Sequence, residues 1–274
     1  SVAQEDAVDD GRRRGDEVKM RPIKLRFVLP TGADGVSGGN IYNAQLIEAL
    51  GRVGAEVETQ SIRDFTGGSG VELCFVDTLN LAEFLASSAV RGGAKYGLVV
   101  HHLPSLEPGI APGDEALAVE ARALPLFDRY LSTSPFTTAL LCSRGIPESS
   151  IFTVPPGLPA RVAPSTRLAP PPLRALLVGN LIPRKGVLEL LEGLRSNGVA
   201  AAPLELEVVG RADLDPDYAH ACALVAASPE LRARVRFSGV LPYERMGELY
   251  ATAHVLVSAA RMETYGMALA EAHA

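Results

Sequence analysis

VGNLIPRKGVLELLEGL, residues 178–194, is the stretch whose reading decides the fold. It begins at the end of an apolar run, ALLVGN (175–180), turns through a proline and two adjacent cations, Arg184 and Lys185, and then takes up an amphipathic helical repeat. A continuous apolar run followed by such a helix is the pattern of a strand covered on both faces, which is the kind found in parallel sheets. The pattern recurs downstream. LELEVVG (204–210), VRFSGV (235–240) and AHVLVSA (253–259) read as further strands, each followed by a helical or loop segment.

Upstream, LRFVLP (25–30) reads as a buried strand and NIYNAQLIEALGRVG (40–54) as a helix with Ile41, Ala44, Ile47, Leu50 and Val53 on its inner face. VETQSI, VELCFVD, YGLVVHHL, RYLSTS and IFTVPP are strand candidates, with DEALAVEARALPLF and PFTTALLCSRG as helices between them. Ser134 suits an N-cap, with Pro135 at the first helical position. The two halves are separated by PPGLPARVAPSTRLAPPP (155–172), where seven of eighteen residues are proline. Proline fixes φ and removes a backbone donor, so this segment reads as a semi-rigid linker. The expected organisation is a charged, disordered tail over 1–20, an α/β domain over 21–158, the linker over 159–172, and a second α/β domain over 173–274. Ordered structure is expected to begin near Pro22.

The chain has 274 residues, a formal net charge of −6, 47% hydrophobic residues and no tryptophan, which suits soluble domains with ample cores. The acidic balance argues against nucleic acid as a partner, and no apolar stretch reaches the length of a membrane span. The tail lacks the apolar middle of a signal peptide. Cys74, Cys142 and Cys222 show no metal or redox spacing and read as reduced core thiols of a cytoplasmic protein.

Doubly wound sheets bind ligands beyond the carboxyl ends of their strands, and four segments fall there. In TGADGVSGGN (31–40), Gly38 and Gly39 precede a helix start whose unpaired amides favour anions. His101 and His102 end VVHHLP; neighbours on a strand point to opposite faces, so one of them is expected to face the cleft. Arg184 and Lys185 stand near a helix N-terminus, where the dipole disfavours cations and a bound phosphate would reverse that cost. In ETYGMALAEAHA (263–274), Glu263 lies in a loop, Gly266 near a helix start, and Glu271 within the helix. Carboxylates accept hydroxyl hydrogens, which suits a polyhydroxylated ligand, and glycine lets the amides of Tyr265, Gly266 and Met267 come close to it. Neither a dinucleotide fingerprint nor a P-loop is present.

Taken in order, these segments resemble the large family 4 of retaining glycosyltransferases, which have the GT-B fold of two Rossmann-like domains. VGNLIPRKG is similar to the family's VGR-L-x-x-x-KG segment. LELEVVG, then RVRFSGVLPYERMGELYATAHVLVSAA, then Glu263 and Glu271 as E-x7-E follow in the family's order and at similar spacing. The resemblance implies a metal-independent, cofactor-free transfer of a sugar from a nucleotide-diphosphate donor to an acceptor, with retention of configuration. It places the diphosphate on Lys185 with Arg184, the amides at Gly39 on the same diphosphate or on the sugar with Gly38 also donor-binding, and the ribose on Glu271. The donor sugar falls to Glu263 and the amides around Gly266, and the base lies near Val240 and Leu241. His101, with His102 as its alternative, matches the family's histidine, so that His101 and Glu263 are the catalytic candidates. The acceptor stays open among glycan, lipid and small molecule, as does peripheral membrane contact, for which no strongly basic amphipathic helix argues.

Two departures from the family stand out. Asn180 occupies the place of an arginine whose charge Arg184 would have to replace. The family also continues past its E-A-x-A segment with further strands and a tail helix, whereas this chain stops at Ala274, so the second domain is expected to be incomplete. The competing readings are a catalytically silent binding subunit and a sugar-nucleotide epimerase or phosphorylase of the same fold.

Overall fold

The computed structural model describes residues 21–31, 37–87, 95–158, 172–196 and 203–274. The tail over 1–20, the loop residues 32–36 and the linker residues 159–171 lie outside the described residues.

Among the described residues ten strands form two all-parallel sheets. The first has six: β1 (Lys24–Leu29), β2 (Glu56–Ser61), β3 (Leu73–Asp77), β4 (Lys95–Val100), β5 (Arg129–Ser132) and β6 (Ile151–Thr153), in spatial order β2-β1-β3-β4-β5-β6. The second has four: β7 (Leu173–Val178), β8 (Leu204–Val209), β9 (Val235–Gly239) and β10 (Val255–Leu256), in order β10-β7-β8-β9. Helices α1 (Gly38–Arg52), α2 (Leu81–Ala86), α3 (Glu115–Ala123) and α4 (Pro135–Ser143) serve the first sheet; α5 (Val187–Ser196), α6 (Pro216–Ala226), α7 (Tyr243–Thr252) and α8 (Met267–His273) serve the second.

The central strands β3, β4 and β7 are largely apolar because their sheets are packed on both faces, whereas the edge strand β2, EVETQS, carries no buried residue. Leu98 and Val100 of β4 enter one core cluster with Val28 and Val76, while Val99 between them enters another with Phe27 and Tyr42. In the second sheet Ala175 and Leu177 face α5 and α6 through Leu191 and Cys222, and Leu176 faces α7 through Met246. Successive residues point to opposite faces, and a sheet wound by helices on both sides buries both sets. Ser134 caps α4 by accepting from the Thr137 amide, with Pro135 at the first position.

Three local expectations need correction. Of the three cysteines expected in the core, Cys74 and Cys222 are buried but Cys142, near the end of α4, is exposed. The inner face of α1 is Tyr42, Asn43, Leu46, Ile47 and Leu50, not the row from Ile41 through Ala44 to Val53; Ala44 is exposed and Val53 is 81% exposed beyond the helix end. The inner row is rotated toward Tyr42 because its hydroxyl donates to the Val154 carbonyl beside β6 and Asn43 has a buried polar partner. The segment 253–259 forms a strand of only two residues. Its ladder begins with the His254 amide donating to the Arg174 carbonyl and ends with the Val257 amide donating to Leu176. Pairing is on one side only, to β7, and from Ser258 the chain departs to build the loop that carries Glu263.

Parallel winding sends the carboxyl ends of β1, β4, β7, β8 and β9 toward a common region between the sheets. That geometry creates the site.

Candidate functional site

A cleft of about 530 Å³ lies between the two sheets. Every residue singled out from the sequence lines it: Gly38, Gly39 and His101 from the first domain, and Arg184, Lys185, Val240, Leu241, Glu263, Tyr265, Gly266, Met267 and Glu271 from the second. His102 lines it too, so both histidines face the cleft rather than one. They sit past the end of β4 at Val100, where strand alternation no longer applies.

The two cations ride on a 3-10 turn, Pro183–Lys185, that precedes α5 and ends at Gly186 with φ 66°. A Cβ on Gly186 would come within 2.1 Å of the Ala259 carbonyl oxygen, so glycine is required for both its left-handed backbone and its close approach. The Arg261 amide donates to the Arg184 carbonyl, which ties this turn to the loop after β10. Gly210, at the end of β8, is pressed equally close to Gly179, at the end of β7: a Cβ there would lie 2.1 Å from the Gly179 carbonyl oxygen. These contacts fix the cleft floor on the second domain.

The charges in the cleft are matched in pairs. Lys185 Nζ donates to Glu263 Oε1, and its side-chain stem packs along Gly179. Arg184 Nη1 donates to the Met262 carbonyl at 3.1 Å, and its Nε lies 3.4 Å from Glu107 Oε2 of the first domain. Both cationic side chains are largely buried, at 17% exposure for Arg184 and 20% for Lys185. The expected penalty for cations at a helix start is therefore met inside the protein, by Glu263 and Glu107.

His101 is held by a buried polar set. Its Nε2 lies 3.0 Å from Asn43 Oδ1 and 3.3 Å from Asp77 Oδ2, and Asn43 Nδ2 donates to Asp77 Oδ2 at 2.7 Å. Burial alone would push the Asp77 carboxyl up. The hydrogen bond and charge of His101, the Leu79 amide and Asn43 outweigh it and hold Asp77 below the usual carboxylate range. The His101 ring lies edge-on to Tyr42 and stacks close over Gly39, where a Cβ would meet it at 3.3 Å. His102 Nε2 faces Glu107 Oε2 at 3.1 Å. Burial, followed by the nearby Arg184 charge, lowers the pKa of His102, against the opposing pull of Glu107 and Glu263.

Glu271 receives two phenols: Tyr243 at 3.1 Å on Oε1 and Tyr250 at 2.7 Å on Oε2. Burial and then the Glu271 charge push the Tyr243 hydroxyl up to about 12, and burial together with the same carboxylate raises Tyr250. Both phenols thus stay protonated donors that orient the carboxylate at the cleft wall. The two domains also touch directly, where the Ser134 hydroxyl donates to the Thr264 carbonyl at 2.6 Å, next to Glu263.

Sequence reasoning missed Arg211, Glu107, Asn43 and Asp77. Arg211 directly follows Gly210 at the end of β8, a position whose place in the sheet could have flagged it; it lines the cleft and clamps Asp213 through Nε and Nη2. Asn180, standing where the resembling family has arginine, accepts from the Arg211 amide at 3.1 Å.

The fold defined by the two sheets and this cleft is that of GT-B glycosyltransferases. The chain is similar to a sucrose-phosphate synthase from Thermosynechococcus elongatus, with a TM-score of 0.70 and 18% identity over 91% of this chain and 78% of that one. It is similar to HepE from Anabaena, solved in complex with UDP and glucose, with a TM-score of 0.65 and 15% identity over the same shares of the two chains. A glycosyltransferase from Rickettsia africae superposes with a TM-score of 0.57 and 13% identity over 87% of this chain and 73% of that one. More specifically, residues 163–274 match the family model Glycosyl transferases group 1. No curated protein matches the chain in sequence. Among the described residues no helix is long and apolar enough to cross a membrane.

Proposed function

We propose that the chain transfers a sugar from a nucleoside diphosphate donor to an acceptor, with retention of configuration and without an essential metal. The observation that carries this reading is the convergence of Arg184 and Lys185, the amide end of α1 at Gly38 and Gly39, and the acids Glu263 and Glu271 on one cleft. A diphosphate suits the cations and the α1 amides, because each charge-assisted hydrogen bond contributes about 1.5–3 kcal/mol. Glu271, oriented by Tyr243 and Tyr250, suits the ribose hydroxyls, and the apolar Val240 and Leu241 suit the base. Glu263 and the amides of Tyr265, Gly266 and Met267 suit the donor sugar, with His101 facing it from the first domain.

In the reaction the bond between the sugar's anomeric carbon and the diphosphate oxygen breaks, and its electron pair stays with the diphosphate. The acceptor oxygen forms the new bond, and its proton passes to the departing phosphate oxygen. Negative charge grows on the diphosphate as the bond breaks, and Arg184 and Lys185 stand where they stabilise it most. Retention and metal independence rest on the family resemblance.

The Anabaena neighbour was solved with UDP-glucose, so a uridine donor is the first to try. The test is nucleotide release from a panel of donor sugars, with and without acceptor sugars, in EDTA, with the product anomer read by NMR. Release that depends on acceptor, survives EDTA and keeps the donor's anomeric configuration supports the proposal. An inverted product or loss of turnover in EDTA contradicts it, and donor binding with no transfer to any acceptor identifies a silent binding subunit instead.

A further inference from the structure

A second charged cluster spans the cleft beside the Lys185–Glu263 pair. Glu107 lies five residues past His102, after the turn Pro104–Leu106 of the first domain. Its Oε2 atom faces two groups at once, His102 Nε2 at 3.1 Å and Arg184 Nε, from the other domain, at 3.4 Å. Two buried nitrogens in this cluster, His102 Nδ1 and Arg184 Nε, make no hydrogen bond among the described residues. Arg184 is thus held at ion-pair distance from Glu107 without the geometry of a hydrogen bond.

The charges account for what this arrangement does. Glu107 neutralises Arg184 across the cleft. An entering diphosphate competes with Glu107 for the same guanidinium and is repelled by its carboxylate. A proton on His102 removes that conflict, because it leaves Glu107 with a cation of its own. Nε2 faces a carboxylate and so carries the ring hydrogen of the neutral form. An added proton goes to Nδ1, which then becomes a donor for an anion.

We propose that Glu107 is a positioning residue of the diphosphate subsite: it holds Arg184 from the opposite domain and releases it to the donor's diphosphate as His102 takes up one proton from solvent. The charged groups facing His102 are Glu107 from its own segment, Arg184 from the turn before α5 and Glu263 from the loop before α8. Of these, only Arg184 opposes the proton, and the incoming diphosphate engages it. The pKa of His102, lowered by burial and then by the Arg184 charge, agrees with a neutral ring that gains its proton only when a diphosphate engages Arg184. This inference rests on the reading of the cleft as a donor site.

The test is calorimetric titration of the full chain with UDP-glucose, ADP-glucose and GDP-mannose, whose diphosphates do not titrate between pH 6 and 8. It is run at both ends of that range and in two buffers of different ionisation heat, so that proton uptake is counted directly. The wild-type chain is expected to take up a large fraction of one proton per donor and therefore to bind tighter by about tenfold or more at the lower pH, two pH units away. Glu107→Gln is expected to bind several-fold more tightly than wild type at the higher pH, a gain that a damaged fold does not produce. His102→Asn is expected to lose the proton uptake and the pH dependence. Equal or weaker binding by Glu107→Gln at high pH, or wild-type proton uptake in His102→Asn, overturns the inference while leaving the donor-site reading intact. If the wild-type chain binds none of the three sugars, the donor-site reading fails and this inference falls with it.

Discussion

Replacing Lys185 by alanine removes one cation from the cleft and strands its partner. Lys185 and Glu263 form an ion pair with side-chain exposures of 20% and 28%. That places the pair between surface bridges, at about 0.2–1 kcal/mol, and fully buried ones, whose breaking costs about 3–5 kcal/mol. A loss of roughly 1 kcal/mol in stability is expected, small enough for the variant to fold. The effect on donor binding is larger. One charge-assisted hydrogen bond to the diphosphate goes, about 1.5–3 kcal/mol, which at about 1.4 kcal/mol per decade is roughly a ten- to hundred-fold weaker Kd. Glu263 is also left ionised and unpaired beside the phosphates, so the double variant Lys185→Ala, Glu263→Gln should recover part of the lost affinity. Titration calorimetry with a donor sugar at two ionic strengths reads both effects. A Lys185→Ala variant that binds within twofold of wild type would refute the assignment of this turn to the diphosphate.

Three further outcomes are expected. Gly186→Ala should lower stability by about 2–5 kcal/mol, since it combines a left-handed backbone with a 2.1 Å approach to the Ala259 carbonyl oxygen, and thermal melting should show a fall of roughly 5–15 °C. The depressed pKa of Asp77 makes it a source of stability that is fully present above the unfolded value of about 3.9 and lost as pH falls through the lower folded value. Urea melts between pH 7 and pH 3 should therefore show a smaller acid-induced loss in Asp77→Asn than in wild type, and equal slopes would exclude the buried pairing with His101. Glu271→Gln, which keeps the size of a side chain held by Tyr243 and Tyr250, should weaken binding of the donor nucleoside roughly three- to ten-fold with little change in melting temperature, and unchanged affinity would exclude the ribose role.

How far the sequence could be read follows from what each feature depends on. The central strands were legible because both of their faces are buried, and an unbroken apolar run as short as ALLV at β7 suits a doubly covered strand better than a surface helix or a loop. The cap at Ser134 was legible because local geometry restricts the residue type. The inner face of α1 was not, because hydrophobicity alone favoured Ala44 and Val53, while the packed row is set by polar partners of Tyr42 and Asn43 that lie far along the chain. Glu107 was invisible for the same reason: its meaning comes from Arg184, which belongs to the other domain. The cations themselves were conspicuous, but the loop after β10 is what brings Glu263 to Lys185, and Glu107 reaches Arg184 only once the two sheets face each other.

The most direct measurement is a structure of the chain determined with a nucleoside diphosphate sugar bound. The account expects phosphate oxygens within hydrogen-bond distance of Lys185 Nζ and the Arg184 guanidinium, facing the Gly38–Gly39 end of α1, with the ribose on Glu271. A donor seated outside the cleft, or inside it with its diphosphate turned away from both cations, would contradict it.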